Sequence, residues 1–183
     1  QDWAAEHVKL EEVKRRIRIY QARPNQSPEE RSAIERAALR EFQLLETLQH
    51  PGILRTHGFT EHELGSAIIF EHYPEANCLR LDHFLAQRGD RLEPEMRLDL
   101  IRQIANVIRF AHSKRVVHRS LSPQSILVVD VDTPHPKIKI FNWQIGYRPS
   151  SSADGESGIA ITATRHLDGL VEDASTAYMA PEA

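Results

Sequence analysis

The stretch Val117-His118-Arg119-Ser120-Leu121-Ser122-Pro123-Gln124-Ser125 decides how this chain is read. It stands between a long run of helical periodicity and two short runs rich in β-branched residues. Pro123 cannot continue a helix, and the serine hydroxyls compete for nearby backbone hydrogen bonds, so the stretch reads as a loop held between regular elements. Upstream, Glu93 to His112 reads as a helix whose apolar stripe is Leu98, Ile101, Ile104, Ala105, Ile108 and Ala111. Downstream, Ile126 to Val129 and Lys137 to Phe141 read as short strands flanking a Pro-containing turn.

Further upstream the chain changes character. Leu79 to Gln87 reads as another helix, preceded by the break Pro74-Glu75-Ala76-Asn77. Before it, Ile53 to Phe59 and Ser66 to Phe70 read as strands joined through Glu61-His62-Glu63 and Gly65 as a hairpin. Ser27-Pro28-Glu29-Glu30 opens a helix, with Ser27 as cap, Pro28 in the first turn and Glu30 completing a capping box. Ile34, Ala38, Leu45 and Leu48 share one face of that helix, and Pro51-Gly52 closes it. Val8-Lys9-Leu10 and Ile17-Arg18-Ile19-Tyr20 alternate as two short strands. Strands early and helices late define an α+β chain. From Tyr147 to Gly158 the composition turns to Ser, Gly and Asp, which predicts a mobile loop.

Composition narrows the function. The 183 residues are 40% hydrophobic and 27% charged, enough for one packed domain or part of a larger one. With 23 Lys and Arg against 26 Asp and Glu, the net charge of −3 gives no overall basic field for nucleic acid. Lys14-Arg15-Arg16 reads as a solvated strand edge. The single cysteine, Cys78, forms no internal disulfide, and the 10 histidines show no metal-ligand spacing, which predicts a cytoplasmic protein and no metal site built on His or Cys. Apolar runs such as Ala67-Ile68-Ile69-Phe70 are too short to span a bilayer, and no signal peptide opens the chain.

One residue on the first helix breaks the pattern. Glu41 lies on the apolar stripe between Ala38 and Leu45, and a carboxylate facing a core needs a cation and hydrogen bonds. Arg18, in the preceding strand, is the natural partner. On helix spacing alone, a solvated glutamate at the edge of the stripe is an equal reading.

The order of elements shifts that balance, because the whole set resembles the protein kinase family. Glu41 with Leu44-Leu45 and His50-Pro51-Gly52-Ile53 resembles the kinase αC glutamate and the turn after it, and Phe70-Glu71-His72-Tyr73 resembles the hinge. Ala111-His112 through Val117-His118-Arg119 resembles the approach to the catalytic loop, and Tyr178-Met179-Ala180-Pro181-Glu182 the end of an activation segment. The resemblance implies a two-lobed kinase-like fold: a small β-rich N-lobe with one αC helix over 1–73, and a mainly helical, truncated C-lobe over 74–183. It implies ATP and magnesium as cofactors, with Arg18, Glu41, Glu71, Tyr73 and Leu127 at the nucleotide cleft.

The departures fall on the chemistry. Kinases place an Asp, a Lys and an Asn in the catalytic loop, where the Asp orients the substrate hydroxyl and the Asn holds magnesium. The matching positions here are Ser120, Ser122 and Ser125, and the metal-binding Asp of Asp-Phe-Gly is replaced by Asn142 in Asn142-Trp143-Gln144. Serine is no such base and a poor ligand for a hard cation. If Arg18 matches the phosphate-binding lysine, Arg16 falls where kinases put a small alanine against the adenine. Counting back from Val8, the glycines of a phosphate-covering loop fall at Gln1, Trp3 and Glu6, so that loop is degenerate or lost upstream. These substitutions argue against nucleotide binding and against any metal site.

What the resemblance keeps is structural. His118, Trp143, Leu45 and Thr56 match the column of side chains that joins the two kinase lobes. Arg119 matches the anchor of the activation segment, either receiving a phosphate on Ser150, Ser151, Ser152, Thr162 or Thr164 or bonding backbone carbonyls. The chain stops at Ala183, directly after Glu182, where kinases continue with more helices, so it reads as part of a longer protein. Within the family, Glu63-Leu64-Gly65, Ser122-Pro123-Gln124-Ser125 and Phe141-Asn142-Trp143-Gln144 resemble the kinase-like region of phage growth limitation W proteins from bacterial BREX-type phage defence. The expectation is a pseudokinase acting as a regulatory or docking module on protein partners or other domains. The alternative is an unconventional phosphotransferase using Asp130, Asp132, Asp154, Asp168 or Asp173.

Overall fold

A computed structural model describes residues 2–6, 14–146 and 178. Four antiparallel strands form the first sheet: β1 (Asp2–Glu6), β2 (Lys14–Ile19), β3 (Thr56–His62) and β4 (Gly65–Glu71), in the order β1-β2-β4-β3. The helix α1 (Pro28–Thr47) packs on β3 and β4. Its start follows the local chemistry. Ser27 accepts the Glu30 N–H at 3.2 Å, and Glu30 returns a carboxylate oxygen to the Ser27 N–H at 2.7 Å, which satisfies two donors that the first turn leaves open. Ala38, Leu45 and Leu48 are buried as their spacing predicts, and Glu41 is fully buried among them.

The first strand adds to the sequence reading. Val8-Lys9-Leu10 lies outside the described residues, while Asp2 to Glu6 pair with β2, Asp2 opposite Arg18 and Glu6 opposite Lys14. Trp3 and Glu6 therefore belong to a strand and not to a phosphate-covering loop; backbone pairing decides this, a force that local composition does not report. The next strand begins at Thr56 rather than Ile53, because Ile53 instead bridges in parallel to Ile140. It continues through Glu61 and His62, so the hairpin turns on Glu63-Leu64, and Gly65 takes up the left-handed φ of 137°. A side chain at Gly65 would meet the Tyr20 carbonyl oxygen at 2.4 Å.

The second half holds β5 (Cys78–Arg80), α2 (Leu81–Arg88), α3 (Pro94–Ser113), β6 (Ile126–Val129) and β7 (Lys137–Ile140), with the strands in one antiparallel sheet β5-β6-β7. Leu79 is thus in a strand, not at the head of a helix, since Cys78 to Arg80 pair with Val129 to Leu127. A further correction concerns the stripe on α3. Leu100, Val107 and Ala111 are its buried residues, Ile104 and Ile108 are half-buried, and Leu98, Ile101 and Ala105 are exposed. The helix is apolar on two faces, and the one set against β7 is the arc from Leu100 to Ala111. Gly52 allows the turn after α1 to touch α3, since a Cβ there would meet Val107 at 2.3 Å. The Gln103 amide closes the outer edge of β7, accepting the Ile138 N–H at 3.1 Å and donating to the Pro136 carbonyl at 3.0 Å.

One continuous core joins the halves, running from Tyr20, Ala38, Leu45 and Phe70 to Ile126, Leu127, Ile140 and Trp143. The α+β, two-lobed, kinase-like architecture is present: a small sheet with one helix, then a second half led by helices.

Candidate functional site

The site lies where the first sheet faces Phe141 to Gln144. Residues two apart on an extended chain share a face, so Arg16 and Arg18 of β2 and Tyr20 directly after it point the same way. Arg18 Nη1 stands 3.7 Å from Glu41 Oε1, an ion pair longer than a hydrogen bond. The Tyr20 hydroxyl donates to Glu41 Oε2 in a short contact, and the Trp143 N–H donates to Glu41 Oε1 at 3.0 Å. The expected Arg18 and Glu41 pair is therefore formed. Tyr20 is the member that sequence reasoning missed. Its position two residues after Arg18, on the same face of an alternating strand, was the available clue.

The two arginines fill the cleft with side chains. The Arg18 guanidinium sits 5.6 Å from the ring centroids of both Phe70 and Phe141, and that of Arg16 lies 5.7 Å from Phe141. Arg16 also reaches the strand after the hinge: burial pushes the Cys78 thiol up to about 11, and the Arg16 charge opposes that shift. The Arg16 guanidinium thus lies near Phe141 and Cys78 of the second half. Leu127 is buried in the core of β6. Glu71 and Tyr73 turn their side chains to each other and to Lys139: Tyr73 donates to Glu71 Oε2, and Lys139 Nζ stands on Glu71 Oε1, each at 2.9 Å.

Below the cleft, the loop that opened the sequence reading is tied by its own polar groups. The His118 ring is fully buried, with Nε2 at 2.9 Å from the Phe141 carbonyl and Nδ1 accepting the Ser120 N–H at 3.3 Å. Those partners fix the neutral tautomer with the proton on Nε2. Desolvation lowers the His118 pKa to about 4, against a smaller raising effect of the Phe141 carbonyl. The ring packs on Trp143 at 4.5 Å between centroids, and Trp143 is fully buried in the core that also holds Leu45. The expected packing of Trp143 near His118 and Leu45 is realised, and Thr56 is half-buried in β3.

The four chemistry positions carry no charge. Ser125 Oγ accepts the Ser122 N–H at 2.9 Å and donates to the Ser122 carbonyl at 2.8 Å, so that hydroxyl closes a turn. Ser122 Oγ is buried with no hydrogen-bond partner among the described residues. Ser120 and Asn142 are half-buried. Arg119 and Asn142 hold left-handed backbone, φ 68° and 63°, on either side of the cleft floor. Among the described residues no group of three His, Cys, Asp or Glu could hold a metal ion. A hydroxyl already used in a turn and a neutral amide offer no anionic oxygen to a hard cation such as magnesium at these positions. Asp130 accepts from the Asn77 amide at 3.0 Å, and Asp132 pairs with Arg88 at 2.7 Å, both away from this floor. Asp154, Asp168 and Asp173, like the serines and threonines proposed to meet Arg119, lie outside the described residues.

A small sheet carrying one helix, a buried glutamate on that helix paired to the neighbouring strand, and a His-Arg loop beneath define the kinase class, and the chain belongs to the protein tyrosine and serine/threonine kinase family, which it matches over residues 8–146. It is 32% identical to "Probable kinase PglW" of Streptomyces coelicolor over 99% of the chain and 12% of that protein. It is 28% identical to Aurora kinases A-A and A-B of Xenopus laevis, over 67% of the chain and 28% of each. The chain thus spans well under half the length of these curated relatives.

Proposed function

We propose that this domain is a pseudokinase, a regulatory or docking module that keeps the two-lobed frame without efficient phosphoryl transfer. One observation carries the reading: Ser120, Ser122, Ser125 and Asn142 put neutral side chains at all four chemistry positions, on a frame whose Glu41 is fully engaged. Kinase catalysis is mainly positioning plus charge stabilisation by metal ions, and neutral ligands supply little of either. The likeness to PglW across the chain supports a role in bacterial phage defence, within a larger cytoplasmic protein. No helix among the described residues is long and apolar enough to cross a membrane. Its partners are other protein domains rather than nucleic acid.

The second reading, an unconventional serine/threonine phosphotransferase, has one point in its favour: the name of that relative, a probable kinase. The deciding experiment is calorimetry of magnesium ATP on the full-length protein, together with transfer of labelled phosphate to itself and to a generic substrate. The pseudokinase reading expects neither binding nor transfer. Robust transfer that survives Ser120→Ala and is lost on replacing one of the protein's own aspartates establishes the second reading.

A further inference from the structure

Beside Tyr73, with neither Arg16 nor Arg18 in its lining, lies a groove of about 930 Å³. The turn His50-Pro51-Gly52, the hinge residue Tyr73, one face of α3 and the strands β6 and β7 form its walls. Buried Val107 and Ile138 make an apolar floor. The His50 and Phe110 rings, 4.9 Å apart, form an aromatic shelf on one side. Tyr73 stands on another, with Lys139 over its ring at 5.3 Å.

The charges around this groove are unequal. Asp130 accepts a hydrogen bond from Asn77, and Lys139 is paired with Glu71. His50 Nδ1 accepts the Gly52 N–H at 3.0 Å, which fixes its ring. Arg109 and Lys137 are exposed at the mouth and form no ion pair among the described residues. An occupant that brings carboxylates to these two cations and an apolar group to the floor is complementary to the groove.

Shape selects among such occupants. The lining residues of α3 run from Gln103 to Ser113, about 15 Å along the axis at 1.5 Å per residue. That length matches about four or five residues of extended chain and exceeds a single aromatic acid. Strand addition is closed, since the Gln103 amide already occupies the backbone groups of Pro136 and Ile138. Recognition must run through side chains.

We propose that this groove is a docking site for an extended protein segment that seats an aromatic or large aliphatic side chain between Phe110 and Tyr73 and sets acidic residues against Arg109 and Lys137. The site is independent of the front cleft, and it stands whether or not that cleft transfers phosphate.

The test uses the full-length protein and fluorescein-labelled twelve-residue peptides containing two phenylalanines and three glutamates, with the spacing between the two residue types varied. Control peptides replace Glu by Gln, Glu by Lys, or Phe by Ser. Anisotropy should show binding by at least one acidic aromatic spacing, weakened at least tenfold in each control and in Arg109→Glu/Lys137→Glu, whose changes are at exposed positions. Hydrogen exchange should slow in the segments around Phe110 and Ile138 when the peptide binds. Absence of binding across the panel, binding indifferent to the charge reversals, or protection elsewhere overturns the proposal. If 2-naphthoate alone binds and gives the same protection while no peptide does, the groove is a small-ligand pocket and the docking assignment falls.

Discussion

Glu41 Oε1 accepts the backbone N–H of Trp143 at 3.0 Å, a bond between residues 102 positions apart in the chain. Arg18 of β2 and Tyr20 directly after that strand approach the same carboxylate, so one buried side chain ties a strand, a helix and the floor of the cleft. Glu41→Ala leaves Arg18 almost buried beside an empty space and the Trp143 N–H without that acceptor. The expected loss is about 3 to 5 kcal/mol, the range for removing one partner of a buried pair. Replacing both, Arg18→Met with Glu41→Leu, should be less damaging than the sum of the single changes. Urea unfolding of the four proteins in this cycle checks the coupling; strict additivity would show that the pair is energetically idle.

Trp143 fills the space between His118 and the core that holds Leu45. Trp143→Ala should lower stability by about 3 to 5 kcal/mol, as truncation of a buried large aromatic does. Trp143→Phe should retain most of it. Unchanged thermal unfolding of the alanine variant would contradict the packing described above.

His118 sets a pH limit. Its pKa falls from 6.5 to about 4 on folding, so between those values the unfolded chain binds the extra proton. Stability from this group is complete above pH 6.5 and is lost progressively as pH falls toward 4, in all about 3 kcal/mol at 1.36 kcal/mol per unit. His118→Asn should remove that part of the acid sensitivity, even if it lowers stability at neutral pH. Denaturant midpoints between pH 7 and 4 for both proteins measure the slope.

Restoring carboxylates should not restore transfer. Ser120→Asp leaves the metal position neutral, and Ser120→Asp with Asn142→Asp still leaves Arg16 over Phe141. Adding Arg16→Ala to that pair should raise affinity for an adenine nucleotide at least tenfold over the pair alone, read by calorimetry. Equal affinity with and without Arg16 would remove the guanidinium as the obstacle.

Much of this was legible because single residues broke local rules. A glutamate on the apolar stripe of α1 announced its partner, and Ser27 with Glu30 announced the start of the helix. The stripe of α3 misled because that helix is apolar on two faces, and periodicity alone cannot choose which one meets β7. The strand Asp2 to Glu6 was not legible because pairing with β2 fixes it, not its composition. The groove beside Tyr73 was invisible for the same kind of reason: His50, Tyr73, Arg109 and Lys137 are far apart in sequence, and only tertiary packing brings them to one surface.

The left-handed backbone at Asn142 restricts what that position can become. Most side chains with a Cβ are held there at about 1 to 2 kcal/mol of steric disadvantage, whereas Gly, Asn and Asp adopt φ near 60° with little strain. Random drift at this codon is therefore filtered by the fold itself. Of the residues it admits readily, one is aspartate, the residue that the kinase resemblance implies for this position. Asn142→Asp is therefore a change that the backbone itself accommodates, whereas a β-branched or bulky residue there has to be held against its own sterics.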